Sequence, residues 1–190
     1  MTIPTCYPDD GVIRLRALRG DDWRFTQAWR NDPEIRDAIL GHRFPVTGEM
    51  EQEWVAAVLR NHGNERAVYA IEMCADATMV GLVYLNTIDW LHRTADCGIM
   101  IGDKSRHRQG LGRRALMLLE AQAFGILNLR KLTARVAAYN QPSLRLFARC
   151  GFRREGVQRA QIYLGGEYFD LVLFGRLAEG DESCAASPAS

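Results

Sequence analysis

The stretch over residues 94–126 constrains the fold most, because its hydrophobic period changes from two to nearly four within a few residues. Thr94–Gly102 reads TADCGIMIG, which is typical of a strand. The loop that follows contains Gly110 and Gly112, where a backbone can approach another group closely. Apolar residues then recur at the spacing of an amphipathic helix of about five turns, at Leu111, Ala115, Leu118, Leu119, Ala123 and Ile126. A strand that passes through such a loop into a long helix predicts an α/β fold.

Other strands are predicted by alternation or by short apolar runs. The run over 12–18 alternates, with Ile13, Leu15 and Ala17 on one side and Arg14 and Arg16 on the other, which predicts a half-buried strand. The remaining runs form a hairpin over 66–74 and 78–88, a strand over 131–139, and two closing strands over 153–164 and 168–177 joined by a Gly-Gly turn.

Helix signals separate these strands. A helix over 20–36 is predicted to break near Pro33, and a second follows Pro45 with Thr47 as its N-cap. The second carries Trp54, Val55, Val58 and Leu59 as its apolar stripe. A short helix is predicted over 140–150, capped by Asn140. With no repeat or linker, we expect one domain over residues 1–177 and a disordered, acidic tail over 178–190.

Composition excludes several classes of protein. Lys plus Arg is 24 and Asp plus Glu is 23, a net charge of +1, which argues against a dedicated nucleic-acid binder or a polybasic membrane binder. The five cysteines are odd in number and form no CxxC pair, so neither a disulfide framework nor a metal site is predicted. The N-terminus lacks the order of a signal peptide, and no apolar run reaches the roughly 18 residues that span a bilayer. We expect a cytoplasmic protein.

The loop before the long helix is strongly basic. Five cations occur within eleven residues and no acid lies among them: Lys104, Arg106, Arg108, Arg113 and Arg114. Free backbone N–H groups at a helix start, with cations nearby, predict a phosphate site. The spacing matches neither a Walker A loop nor a dinucleotide-binding fingerprint, which needs a third glycine. The alternative is a glycine-rich turn that leads into a helix with a solvated basic face.

In this context the chain resembles the GNAT N-acetyltransferase superfamily. The loop reads His107-Arg108-Gln109-Gly110-Leu111-Gly112, similar to the acetyl-CoA motif of that family. A second block also matches, with Asn140-Gln-Pro-Ser143 before a helix that ends in Cys150-Gly151-Phe152. The closing hairpin and the phrase Trp29-Arg30-Asn31-Asp32-Pro33 resemble the branch of spermidine, ribosomal-protein and amino-sugar acetyltransferases. The resemblance implies a single-domain GNAT-like fold, with a mixed central β-sheet flanked by helices, and acetyl-CoA as cofactor.

The resemblance also implies which residues hold acetyl-CoA. Backbone groups of the strand before the loop, at Ile99, Met100 and Ile101, are expected along the pantetheine arm. The loop residues and the second block complete the set: His107, Arg108, Gln109, Gly110, Leu111, Gly112, Arg113, Asn140 and Ser143. Two positions depart from the family pattern. His107 replaces the usual Arg or Gln, and Phe147 occupies the place of the tyrosine that often serves as general acid.

Catalytic candidates follow from the reaction that the resemblance implies, acetyl transfer from a thioester to a primary amine. Asp96 lies on the strand before the loop, where burial would suit a general base, although it could equally be a structural acid paired with Arg93. Asp89 and Glu72 are weaker candidates. For the acid, Ser143 and Tyr139 compete with the hairpin tyrosines Tyr163 and Tyr168, and unassisted thiolate release is another route.

The acceptor stays open at this level. Trp29, Arg30 and Asn31 are candidates to bind it, with Trp29 equally suited to a helix core. The main hypothesis is a small-molecule amine, in particular a nucleotide-linked amino sugar; the alternatives are a protein N-terminus, a polyamine, an aminoglycoside or a non-enzymatic acyl-CoA-binding module. A polyamine site should be acidic, a peptide site an open groove, and a nucleotide-sugar site rich in cations and aromatics. We expect no nucleic-acid or membrane partner, and no sequence signal decides whether the chain forms a homodimer.

Overall fold

The computed structural model describes residues 8–40 and 44–180. Residues 181–190 of the predicted tail lie outside the described residues, and the last strand ends at Leu177. Seven strands form one mixed sheet: β1 (Ile13–Ala17), β2 (Ala67–Met73), β3 (Met79–Asp89), β4 (Thr94–Ile101), β5 (Lys131–Ala137), β6 (Arg153–Leu164) and β7 (Glu167–Leu177). Their order is β1-β2-β3-β4-β5-β7-β6, and β4 runs parallel to β5 while the other neighbouring pairs are antiparallel. The predicted single α/β domain with a mixed sheet is confirmed.

Helices cover both faces of the sheet. They are α1 (Trp23–Asn31), α2 (Pro33–Ala38), α3 (Gly48–Arg60), α4 (Leu111–Glu120) and α5 (Gln141–Arg149). The apolar sides of α4 and α5 pack on one face of the sheet, where β5 contributes Leu132, Ala134 and Val136, as its alternation predicts. Helices α1 to α3 pack on the other face through Trp29, Ile35 and Val58. No helix in the described ranges is long and apolar enough to cross a bilayer.

Local signals set several boundaries. Pro33 opens α2, and the Asp32 carboxylate caps it by accepting from the N–H groups of Glu34 and Ile35. The Thr47 hydroxyl caps α3, as predicted, by accepting from the Met50 N–H group. Gly165 and Gly166 both have positive φ, as the tight turn of the closing hairpin requires.

Three predictions of side-chain placement are wrong. Leu59, predicted in the apolar stripe of α3, is 40% exposed, because the buried positions Val55 and Val58 lie on a different side of that helix. Ile126 is 73% exposed, because α4 ends at Glu120 and continues as a π-helix over Ala121–Ile126, whose wider turn rotates Ile126 out of the apolar stripe. Arg16 is buried instead of facing solvent, because Glu72 and Asp22 both contact its guanidinium, at 2.5 and 2.7 Å. A period-two pattern cannot reveal that the polar side of a strand is covered by charges that pair with it.

Candidate active site

A groove opens where β4 and β5 separate. The two strands pair only along Thr94–Asp96 and Lys131–Thr133, and beyond Asp96 the β4 edge has no neighbouring strand in the described part of the chain. Two cavities, of about 430 and 760 Å³, meet at this separation, each of a volume typical of small-molecule sites. Six residues line both of them: Ala38, Ile39, Ile99, Met100, Asn140 and Ser143. The two cavities therefore form one continuous groove at the opening between β4 and β5.

The basic loop forms one end of this groove. Gly110 has φ +78°, a conformation that glycine adopts without strain, and it is the N-cap residue of α4. In the described residues, the N–H groups of Gly110, Leu111 and Gly112 have no hydrogen-bond acceptor. A Cβ added at Gly112 would lie 3.4 Å from Leu146 and 3.8 Å from Ile99, both of which line the groove. Unpaired N–H groups at a helix start beside open space fit a pyrophosphate.

Not all five cations of the loop line this end of the groove. The sequence suggests one basic patch of five cations, and the structure shows that some of them pair with acids instead. Lys104 lies 2.7 Å from the Asp32 carboxylate, and Arg114 lies 2.7 Å from that of Asp10, so acids distant in sequence neutralise both cations. Arg106 is 3.7 Å from Asp76. Arg108 and Arg113 line the cavity without an acidic partner among the described residues.

Sequence reasoning missed two further cations at this end. Arg145 and Arg149 of α5 line the same cavity, again without an acidic partner in the part of the chain that the structure describes. Their spacing of four residues puts both on one face of α5. The predicted helix over 140–150 could therefore have indicated that the two arginines lie side by side. Four arginines, two beside the start of α4 and two along α5, therefore line the same cavity as the unpaired N–H groups.

The other loop residues divide between the groove and the surface. His107 lines the cavity, and its Nε2 lies 2.9 Å from the Ile101 carbonyl, which only accepts, so Nε2 carries the proton of that hydrogen bond. The Gln109 amide instead donates to the Ser105 carbonyl, and Gln109 does not line the cavity. Any contact from Gln109 to a ligand there would come from its backbone.

Asp96 lies at the other end of the groove, on β4 where the strands begin to separate. Its side chain is 17% exposed, and Arg135 contacts Oδ2 at 3.2 Å while the Thr133 hydroxyl lies 3.5 Å from Oδ1. Burial raises the pKa of the Asp96 carboxyl, and the Arg135 guanidinium and the Thr133 hydroxyl offset part of that rise. Arg93, the ion-pair partner suggested from sequence, instead donates to the backbone and side-chain oxygens of Asn128.

The acid candidates differ in their access to the groove. Ser143 lines both cavities, and its hydroxyl has no hydrogen-bond partner within the described ranges. Tyr139 lines neither cavity, and its hydroxyl donates to the Asp37 carbonyl at 2.9 Å. Tyr163 and Tyr168 are exposed and contact each other at the hairpin, outside both cavities. Phe147 is buried between Phe152 and Phe174 and presents no polar atom to the groove.

Asn140 joins α5 to α2 at the wall of the groove. Its Oδ1 accepts from the Ser143 N–H group, which is the predicted N-cap, and its amide donates to the Ala38 carbonyl at 2.7 Å. The neighbouring bond from Tyr139 to Asp37 fastens the same two elements. Both bonds satisfy carbonyls in the last turn of α2, so they position that helix beside the groove.

Only one of the three predicted acceptor contacts reaches the groove. Arg30 lines the cavity beside Asp96, lies 4.3 Å above the Trp54 ring, and has its Nε 3.0 Å from the buried Glu51 carboxylate. Trp29 packs in the core against Gly102. The Asn31 amide group bonds both backbone groups of Val46, at 2.8 and 2.9 Å, and serves as a clamp on that loop.

Tyr84 is a groove residue that the sequence did not indicate. It lies on β3 directly opposite Gly98 of β4, and a Cβ at Gly98 would overlap its ring and hydroxyl. The phenol therefore lies across β4, two residues beyond Asp96, where the strand edge becomes free. Burial raises the pKa of Tyr84, and the charge of Asp96 adds to that rise.

Comparisons with known proteins agree on the fold family. The family model described as "Acetyltransferase (GNAT) domain" matches residues 13–153. The spermidine N(1)-acetyltransferase of Vibrio cholerae is 28% identical over 159 residues, which cover 84% of this chain and 89% of that protein. The SPbeta prophage-derived uncharacterized N-acetyltransferase YokL of Bacillus subtilis is 29% identical over 169 residues, which cover 88% and 90%. The crystal structure of the Vibrio cholerae spermidine enzyme with CoA and spermine has a TM-score of 0.81 at 26% identity, covering 88% of this chain and 96% of that one.

Proposed function

This chain belongs to the GNAT acetyltransferase family, and we propose that it acetylates the primary amine of a small molecule bound beside Asp96. It is an N-acetyltransferase that uses acetyl-CoA, as its family and relatives are. The observation that carries the proposal is the continuous groove. It connects the unpaired N–H groups at the start of α4 with the buried Asp96 carboxyl, so a phosphate-bearing donor and an amine can meet inside one opening.

The donor end has the residues that acetyl-CoA requires. The N–H groups of Gly110 to Gly112 and the four unpaired arginines would hold its phosphates, and the free β4 edge at Ile99–Ile101 would bond the amide groups of its pantetheine arm. When bound, acetyl-CoA supplies an acetyl group activated as a thioester. His107 departs from the family motif without harm to this site, because loop backbone groups make the main contacts.

Asp96 is the proposed general base. A primary ammonium must lose a proton before its nitrogen can attack, and a carboxylate with a raised pKa accepts that proton more readily than an ordinary one. Arg135 and Thr133 orient the carboxylate from β5. In this role, Asp96 takes up the proton on the cavity side of β4.

Tyr84 is the proposed proton donor. The tyrosine that often has this role in the family is absent here, because Phe147 occupies its position. Its hydroxyl lies across Gly98 at the point where β4 and β5 separate, and its raised pKa keeps it protonated at neutral pH. Ser143 lines the groove too, but a serine hydroxyl is a far weaker acid than a phenol. Tyr139 fits a structural role, because its proton is bonded to a backbone carbonyl away from the groove.

The names of the relatives favour a polyamine as the acceptor, since spermidine enzymes are prominent among them. The cavity beside Asp96 points to a different amine, because its lining contains more cations than acids. Cations with aromatics are what a nucleotide-linked amino sugar would require, although no relative described above acts on one by name. The primary-amine assignment covers both classes.

Titration and turnover together test this proposal. Acetyl-CoA would be titrated into the full chain by calorimetry, and release of the CoA thiol would then be followed over a panel of primary amines. We expect one binding event, and thiol release only when an amine is present, with the N-acetyl product identified by mass spectrometry. Tight binding of acetyl-CoA with no release for any amine would contradict the proposal.

A further inference from the structure

The cavity beside Asp96 has a lining charge that differs from what a polycationic acceptor would require. Three guanidinium groups line it, from Arg30, Arg66 and Arg135, whereas Asp96 is the one carboxylate among the described lining residues. A cationic cavity attracts anions. We therefore infer that the acceptor is a primary amine that also carries an anionic group, a carboxylate or a phosphate. Arg66 and Arg135 bind that group. This inference rests on the acetyl transfer proposed above.

The three arginines differ in what they can offer. Arg30 lies between the Trp54 ring and the buried Glu51 carboxylate, so its charge is largely neutralised within the protein. Arg135 is 58% exposed and contacts Asp96 through one nitrogen, which leaves its other N–H groups available. Arg66 is exposed and has no ion pair among the described residues. Arg66 and Arg135 are therefore the groups that can meet an incoming anion in a bidentate contact.

The strand register limits the size of the acceptor. Arg66 directly precedes β2, whose first residue Ala67 lies opposite Leu85, and the next residue, Asn86, lies opposite Asp96. Arg66 and Asp96 are thus two strands apart, roughly 10 Å between backbones at the usual strand spacing. Both residues line the same cavity, so one small molecule inside it can contact both. An amine at Asp96 and an anion at Arg66 are then separated by only a few bonds.

The same geometry is unfavourable for a polyamine. A second ammonium group a few bonds from the reacting amine would lie near Arg66 or Arg135 and be repelled by them. Among the described lining residues, no carboxylate other than Asp96 could pair with that ammonium group. A compact anionic amine instead pairs its two charges with opposite charges on the protein. Salt should weaken this preference, because Arg66 and Arg135 are exposed to solvent.

Matched amines test the inference directly. The full chain with acetyl-CoA would be assayed for thiol release with butylamine against 4-aminobutyrate, ethanolamine against phosphoethanolamine, and spermidine as the polycation. We expect the anionic member of at least one pair to have a kcat/KM about tenfold or more above its partner and above spermidine. The carboxylate and phosphate pairs distinguish the two sources of the anion. Faster turnover of spermidine than of either anionic amine would overturn the inference.

Substitution of Arg66 identifies the receptor. Arg66→Ala should raise KM for the preferred anionic amine about tenfold, leave kcat nearly unchanged, and leave the uncharged partner unaffected, while Arg66→Lys should retain part of the preference. Arg60→Ala is the matched control, because Arg60 is an exposed arginine at the end of α3 that lines neither cavity. A preference that survives in both Arg66→Ala and Arg135→Ala would contradict the assignment.

A binding measurement separates this inference from the proposed function. The CoA-loaded chain cannot transfer an acetyl group, so calorimetry with the same amine pairs reports acceptor affinity alone. If no amine is acetylated but phosphoethanolamine or 4-aminobutyrate binds about tenfold more tightly than its partner, the proposed function fails and the anion site stands. If neither anionic amine binds more tightly than its partner, the inference is wrong whatever the turnover assay gives.

Discussion

The two ends of the groove are constructed in opposite ways. Half of the residues that line the proposed donor end come from one stretch, β4, the basic loop and the start of α4, and the groups proposed to bind the donor there are mainly backbone N–H groups. The acceptor end combines side chains from four helices, α1, α2, α3 and α5, and from four strands, and no short segment contains it. A backbone site tolerates changes such as His107 in the motif. A side-chain site changes specificity with each substitution, so relatives can share a donor and differ in acceptor.

The largest effect is expected from filling the donor end. Gly112→Trp should lower acetyl-CoA affinity at least about a hundredfold, because its side chain would enter the groove between Leu146 and Ile99. Calorimetry with acetyl-CoA measures the change, and circular dichroism checks that the fold is retained. Gly20→Trp is the control, since Gly20 is exposed, has open space at its Cβ and lines neither cavity. Equal affinities for acetyl-CoA in the two variants would contradict the assignment of this end of the groove to the donor.

At the acceptor end, Asp96→Asn should lower kcat/KM about a hundredfold or more, since an amide cannot take up the ammonium proton. Acetyl-CoA affinity should stay unchanged because Asp96 lies outside the donor cavity. In the unsubstituted chain, activity should rise with pH as the carboxyl ionises. Because the pKa of Asp96 is raised, that rise should lie above the range of an ordinary aspartate. A pH–rate profile measures both effects, and a variant that retains the full profile would rule out Asp96 as the base.

A substitution of Tyr84, which lies between the two ends of the groove, should lower activity less than the substitution of Asp96. Tyr84→Phe should lower kcat about tenfold to a hundredfold, with little change in the affinity for acetyl-CoA, because it removes only the proton donor. Tyr139→Phe is the matched substitution outside the groove. It should leave kcat within about threefold and destabilise the fold by about 1 kcal/mol through loss of the bond to Asp37. The reverse ranking of the two kcat values would return the acid role to Tyr139.

At the last residue of α4, outside both cavities, Glu120→Gln should leave acetyl transfer nearly unchanged. Burial raises the pKa of Glu120 to about 7, with Arg176 at 3.3 Å offsetting part of the rise. An acid whose folded pKa is raised costs stability as pH rises from the unfolded pKa, 4.5, toward 7, and the loss levels off above that. The full loss is roughly 3 kcal/mol. Denaturant unfolding at pH 5 and pH 8 should show this slope in the native chain and its absence in the variant.

The fold was largely predictable because its signals are local. Alternation in β5, the cap of Asp32 and Pro33 on α2, and the glycine turn at 165–166 each depend on a few neighbouring residues. Two of the failures have one cause: they depend on residues distant in sequence. Arg16 is buried because Glu72 and Asp22 meet it, and Lys104 is neutralised by Asp32 across the fold.

The sequence by itself indicated the backbone part of the proposed donor end, because a strand, a glycine loop and a helix start adjoin along the chain and their backbone geometry follows from residue type. At the acceptor end the sequence indicated Asp96 and Arg30, and the tertiary structure decided the other lining residues. It turned Trp29 and Asn31 away from the groove and brought Arg66, Tyr84 and Arg135 to Asp96 from three different strand positions. Such a meeting depends on strand order and register, which no spacing along one chain encodes by itself.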